Sequence, residues 1–176
     1  MQSVTRFIRR RLKLKVNEAK SAVARPQERK FLGFSCTSGA KPKRRIAPKA
    51  LLCCKRRVRE LTHRTRGVSV EQMTKELASY LRGWKGYFGY CQTPSVLRRL
   101  EAWMRRRLRS VIWKQWKRGT VRFERLRQGN IGHDLAAQTA GSPHGLWRLS
   151  DSPALQSALS IAYFDSLGLP RLLEVR

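Results

Sequence analysis

The chain has 176 residues, of which 39 are Lys or Arg and 11 are Asp or Glu, a formal net charge of +28. That length holds one domain, or one small domain with an appendage, and 41% hydrophobic residues, with five Trp, six Phe and four Tyr, exclude a wholly disordered chain. No apolar run approaches the ~18 residues of a membrane span, and the basic N-terminus MQSVTRFIRRRLKLKV lacks the apolar stretch and small-residue cleavage site of a secretory signal, so a cytoplasmic protein is expected.

Residues 3–13 read as the end of a helix with Val4, Phe7, Ile8 and Leu12 on one face, broken at Asn17. Two β-like runs, KSAVAR (20–25) and KFLGFSC (30–36), joined by Pro26-Gln27-Glu28, predict a hairpin. Ser38-Gly39 and Pro42 mark a loop, and KPKRRIAPK (41–49) reads as irregular or extended. From Pro48 the pattern is helical. Leu51, Cys54, Val58 and Leu61 recur at steps of 3, 4 and 3, and Gly67 is the expected stop. Ser69-Val70-Glu71-Gln72 resembles a capping box for the next helix, whose face is Val70, Met73, Leu77, Tyr80, Leu81, Trp84 and Phe88. Gly83, Gly86 and Gly89 each cost about 1 kcal/mol against Ala in a helix, which predicts close backbone packing or a bend. After Thr93-Pro94-Ser95, residues 96–117 predict the longest helix, about 33 Å, with Val96, Leu100, Trp103, Met104, Leu108, Val111 and Ile112 as its apolar stripe. RFERLRQG (122–129) and HDLAAQTA (133–140) read as short helical pieces. Ser152-Pro153 opens a final helix with Leu155, Leu159, Ala162 and Tyr163 inward and Gly168 at its end.

Residues 1–128 carry 36 of the 39 bases and 7 of the 11 acids, while residues 129–176 are near neutral. Such a charge density needs a polyanion, and 27 Arg against 12 Lys favours nucleic acid, because the guanidinium fork fits phosphate. Between Arg98 and Arg118 nine bases face one acid, Glu101, so intrahelical ion pairing does not account for them and phosphate binding does. Aromatics interleave with bases at Trp84-Lys85-Gly86-Tyr87-Phe88 and at Trp113-Lys114-Gln115-Trp116-Lys117, a pattern that serves either base stacking or a core at helical spacing; core is favoured for Trp84 and Trp103. Cys36, Cys53, Cys54 and Cys91 form no C-x-x-C pair, and His63, His133 and His144 lie at no zinc spacing from them, so reduced thiols are expected. The three aspartates, Asp134, Asp151 and Asp165, form no D-x-D pair, and no phosphate-binding glycine loop is present. A binding module with no catalytic residue and no metal of its own is expected.

Five motifs in order carry a resemblance across nearly the whole chain. They are Phe31-Leu32-Gly33-Phe34, Trp84-Lys85-Gly86-Tyr87-Phe88-Gly89, Trp113-Lys114-Gln115-Trp116-Lys117, Leu146-Trp147-Arg148-Leu149-Ser150, and Ala162-Tyr163-Phe164 with Leu167-Gly168-Leu169. Together they resemble the C-terminal part of group II intron-encoded reverse transcriptase/maturases. The resemblance implies a mainly α fold, a helical thumb-like bundle preceded by a short β-hairpin. It divides the chain into 1–40, a remnant of the reverse-transcriptase palm; 41–128, the basic helical maturase-specific or thumb domain; and 129–176, the near-neutral remainder of that domain, packed on the basic helices.

The Tyr-x-Asp-Asp segment of that family's polymerase site lies upstream of anything matched here, so the chain resembles a truncated frame or a fragment of a split or decayed intron. Phe31, Leu32 and Phe34 are expected to be exposed for want of a palm sheet. The implied function is stabilisation of folded intron RNA for splicing, with the chemistry and the Mg2+ belonging to the RNA and no cofactor bound by the protein. The expected RNA-binding surface is Lys41, Lys43, Arg44, Arg45, Lys49, Arg56, Arg57, Arg105, Arg106, Arg109, Lys114, Lys117 and Arg118. Intron RNA is the expected partner, with DNA or a separate reverse-transcriptase fragment as further partners and no membrane. The alternatives are a C-terminal piece of an RNA-directed DNA polymerase that works only with a separate fingers/palm chain, and a decayed fragment that binds RNA by charge alone.

Overall fold

Pro94 starts the longest helix, α4 (Pro94–Gln115), whose 22 residues span about 33 Å. A computed structural model describes residues 2–17, 21 and 23–173. Before α4 come α1 (Gln2–Arg11), the strands β1 (Phe34–Cys36) and β2 (Arg44–Ile46), α2 (Pro48–Leu61) and α3 (Val70–Phe88). After it come α5 (Gly119–Gln128), α6 (His133–Ala140) and three short helices, α7 (Leu146–Leu149), α8 (Pro153–Ala158) and α9 (Ile161–Ser166). The protein is mainly helical with one short antiparallel hairpin, the expected class.

Local chemistry explains the boundaries. Pro48 occupies the first turn of α2. That helix ends at Leu61, earlier than Gly67 implied, because Arg66 donates through Nη1 to the freed Leu61 carbonyl at 2.6 Å. Ser69 caps α3 by accepting from the Gln72 amide at 3.1 Å. Gln72 completes no reciprocal box; its side-chain amide donates to Glu76 instead. The single final helix expected from Ser152 is two, because Ser160 caps a new turn by accepting from the Tyr163 amide. Gly168 takes the left-handed conformation (φ +81°) that closes α9.

The hairpin lies elsewhere than predicted. β1 pairs with β2 in the register Phe34–Ile46, Ser35–Arg45 and Cys36–Arg44. The basic segment 41–49, read as irregular, therefore supplies a strand. Of the run 20–25, residues 20 and 22 lie outside the described residues, and the others form no strand. Phe31 and Phe34 bond each other's backbone both ways at 2.9 Å around Leu32 (φ +48°) and Gly33 (φ +76°). Two positive φ values in a two-residue loop make a tight primed turn just before β1. The chain also turns at Pro26-Gln27-Glu28, where the Glu28 amide donates to the Arg25 carbonyl at 3.0 Å, but no strand pair flanks that turn among the described residues; β1 returns to β2 through residues 37–43.

Two apolar clusters build the core. The larger joins α2, α3 and α4 through Val58, Leu77, Leu81, Met104 and Leu108, and takes Leu159, Phe164, Leu169 and Leu172 from the C-terminal segment. The smaller holds Trp113, Leu126, Ile131, Ala136, Leu149 and Leu155. Its packing is tight where α5 ends: a Cβ on Gly129 would stand 2.7 Å from that of Ala158. Glu101 is buried in α4, and its Oε1 accepts from the backbone amides of Leu172 and Leu173, which ties residues 71 positions apart. The near-neutral segment thus lies on the second side of α4.

Candidate nucleic-acid interface

Lys55 and Arg59 sit one turn apart on α2, and Trp103 and Arg107 one turn apart on α4. The three cations surround a single ring: Lys55 Nζ, Arg59 and Arg107 lie 5.6, 5.5 and 5.5 Å from the Trp103 centroid. Arg107 is anchored by Nε donating to Thr62 Oγ1 at 3.0 Å. Burial first, then the like charges of Arg59 and Arg64, hold its guanidinium below the ordinary value. Among the described residues no carboxylate pairs with Lys55, Arg59, Arg64 or Arg107; neighbouring Glu60 is engaged by Arg57 at 3.0 Å. Uncompensated cations at this density are stabilised by an anion from outside, and phosphate oxygens fit the exposed guanidinium forks. Sequence reading did not single out this cluster, although the matched i,i+4 spacings of Lys55/Arg59 and Trp103/Arg107 were the available signal.

The thirteen predicted residues divide by what their side chains already do. Lys41, Lys43, Lys49, Arg56, Lys114, Lys117 and Arg118 are exposed, and so is Arg57, which pairs with Glu60 at 3.0 Å. Arg44 is exposed but donates through Nε and Nη2 to the Tyr90 carbonyl at 3.1 and 2.6 Å, fastening β2 to the turn before α4. Arg45 donates to Ser35 Oγ across the hairpin. Arg105, Arg106 and Arg109 do not belong to an open basic face. Arg106 stacks 4.4 Å from the Trp147 centroid, bonds the Trp147 carbonyl at 3.0 Å and pairs with Asp151 at 3.1 Å. Arg109 is 8% exposed and holds the Leu159 carbonyl at 3.2 Å. Half-buried Arg105 lies 3.7 Å from Glu101. The reason is that α4 is covered on two sides, so these arginines dock the C-terminal helices.

The interleaved aromatics mostly pack on one another. Trp84 and Tyr87 lie 4.8 Å from Phe88, and Phe34 lies 5.3 Å from it. Trp113 is fully buried, and Trp116 lies 5.8 Å from it at the junction of the two clusters. The core role therefore holds for Trp84 and Trp113, while Trp103 is a partly buried platform for cations. Phe31 and Leu32 at the turn are 77% and 66% exposed, whereas Phe34 is half-buried. A Cβ on Gly83 or Gly86 would meet open space, so no packing among the described residues calls for glycine there. Among the described residues no three His, Cys, Asp or Glu side chains are grouped to hold a metal ion, and no helix is long and apolar enough to cross a membrane.

Residues 51–129 match the family model of the group II intron maturase-specific domain. The chain carries a group II intron maturase-specific domain. A search of curated proteins gave no match. The maturase-specific domain as matched runs from α2 to the end of α5 and contains the whole Trp103 cation cluster. It also contains Arg106 and Arg109, whereas their partners, Asp151 and the Leu159 carbonyl, lie beyond it. The core of this maturase-specific domain is completed by residues outside the match, Leu159, Phe164, Leu169 and Leu172.

Proposed function

We propose that the chain is the RNA-binding module of a group II intron maturase, which stabilises the folded intron RNA for splicing and performs no bond chemistry itself. The observation that carries this reading is the uncompensated cluster of Lys55, Arg59, Arg64 and Arg107 inside the maturase-specific match. Neutralising phosphates lowers the repulsion between packed RNA helices, and an RNA fold is recognised mainly by its shape and backbone. The Mg2+ ions of splicing stay on the RNA, and the site of action is the cytoplasm. The test compares affinity for the cognate intron RNA with that for an unrelated RNA and a duplex DNA of equal length, across salt concentrations. The expected result is a preference for the intron that persists at high salt. A steep salt slope with equal affinities for all three leaves charge alone and defeats the reading.

One observation favours a second reading, in which the chain completes an RNA-directed DNA polymerase with a separate fingers/palm chain. Phe31 and Leu32 offer an apolar tip that none of the described residues covers. That reading requires primer extension when the two chains are mixed and none with either alone.

A further inference from the structure

Where α4 faces the last two helices, Arg105, Arg109, Asp151, Gln156 and Ser160 line a recess of about 540 Å³. Arg109 is its unusual member. It is more than nine-tenths buried, yet among the described residues only its Nε has a partner, the Leu159 carbonyl. Its Nη groups are not sealed off, unlike Arg106 Nε, which is buried without a partner among the described residues. The remaining guanidinium N–H groups of Arg109 have the recess as their outlet.

Arg105 stands one turn earlier on α4; both residues line the recess, and the charge of Arg105 acts on Arg109. The contact of Arg105 with Glu101 is loose, at 3.7 Å, because that carboxylate already accepts from the Leu172 and Leu173 amides. The carboxylate in the wall is engaged too: Asp151 is paired with Arg106 and accepts from the Gln156 amide at 3.3 Å. Among the described residues, Arg105, Arg106 and Arg109 against Glu101 and Asp151 leave one positive charge over; Asp165, which also feels Arg105, is taken by Arg171. Burial, reinforced by Arg105 and Arg106 and opposed by Asp151, pushes the Arg109 guanidinium below its ordinary value, as a site short of an anion requires.

We infer that this recess binds one phosphate oxyanion between the guanidinium groups of Arg105 and Arg109. A tetrahedral oxyanion takes the room of a few waters, about 30 Å³ each, so the recess also accommodates the sugars of a phosphodiester. The phosphate comes either from an RNA backbone or from free inorganic phosphate. Only the first source rests on the RNA-binding reading above.

The test titrates inorganic phosphate into the isotope-labelled full chain at constant ionic strength, with chloride exchanged for phosphate. The Arg109 Nε–Hε resonance should shift and saturate, while that of exposed Arg98 drifts without saturating. Arg105→Gln should raise the midpoint about tenfold or more, as expected for loss of a charge-assisted hydrogen bond. Arg105→Lys should fall between, and carries the test if the Gln variant loses helix by circular dichroism. A non-saturating Arg109 shift, or a midpoint unmoved in both variants, means an adventitious ion only and overturns the assignment. A second arm measures intron RNA binding by Arg105→Gln. A fall of about tenfold, with a salt slope reduced by about one, identifies the RNA backbone as the source. Unchanged RNA affinity alongside lost phosphate binding identifies free phosphate. Intron RNA binding with no phosphate at Arg109 sinks the recess and spares the RNA reading; saturable phosphate binding with no RNA preference does the reverse.

Discussion

α1 and α4 are built to one plan, an apolar stripe among arginines, and end in opposite conditions. α4 buries ten residues, Leu108 and Trp113 among them. α1 buries none, and Val4 and Phe7 are each more than half exposed. An amphipathic pattern states that a helix has a face to cover; it does not state that the same chain supplies the cover. α4 has α2 and α3 on one side and the C-terminal helices on the other. α1 is ten residues long, below the ~12–15 at which an isolated helix holds in water, and none of its residues enters either apolar cluster.

The largest expected effect breaks the comparison if it fails. Leu108→Ala should cost about 2–5 kcal/mol in denaturant unfolding, whereas Phe7→Ser should stay within about 0.5 kcal/mol of the parent; similar losses for both would mean that α1 has hidden cover. Next, Arg106→Gln should lose about 1–2 kcal/mol, chiefly the ring stacking and the bond to the Trp147 carbonyl, since the partner Asp151 is half exposed. A urea melt with an unchanged midpoint would return Arg106 to the open basic surface. The double variant Lys55→Gln/Arg59→Gln should reduce the salt slope of intron RNA binding by about 1.5–2, with stability nearly unchanged. Arg6→Gln/Arg10→Gln in α1 removes the same charge and should do less; equal losses would mean that RNA reads net charge only. The smallest effect is Gly86→Ala, which should stabilise by about 0.4–1 kcal/mol in a thermal melt, because the added methyl meets open space. Destabilisation there would reveal a contact on that face.

The three long helices were legible because their period repeats over several turns and Ser69 announces a start. The hairpin escapes sequence reading because Arg44 and Arg45 hide a strand of three residues inside a basic run, so that the return through residues 37–43 looks like a loop entering irregular chain; the tight turn at Leu32-Gly33, just before β1, carries no Asn-Gly signal either. The break at Leu159 followed from Ser160, a capping residue in mid-pattern. Within the candidate site, Arg105, Arg106 and Arg109 read as an open basic face only when α4 is given one buried face. Glu101, Arg105, Arg109 and Ile112 mark a second at steps of 4, 4 and 3, and the neutral segment 129–176 is what covers it. Lys55 and Arg59 were passed over because their meeting with Trp103 depends on how α2 lies against α4, which no local pattern encodes.

The tie from Glu101 to Leu172 and Leu173 sets a schedule for the newborn chain. Translation adds roughly 5–20 residues per second, so a Glu101 carboxylate leaving the ribosome waits on the order of 4–14 s for the amides that will hold it. During that interval the lower flank of the bundle is wet, and Leu159, Phe164 and Leu169 have yet to arrive. A ribosome stalled shortly before codon 159 would therefore display an unfinished bundle, its basic exterior already made and its interior still open to chaperones and proteases.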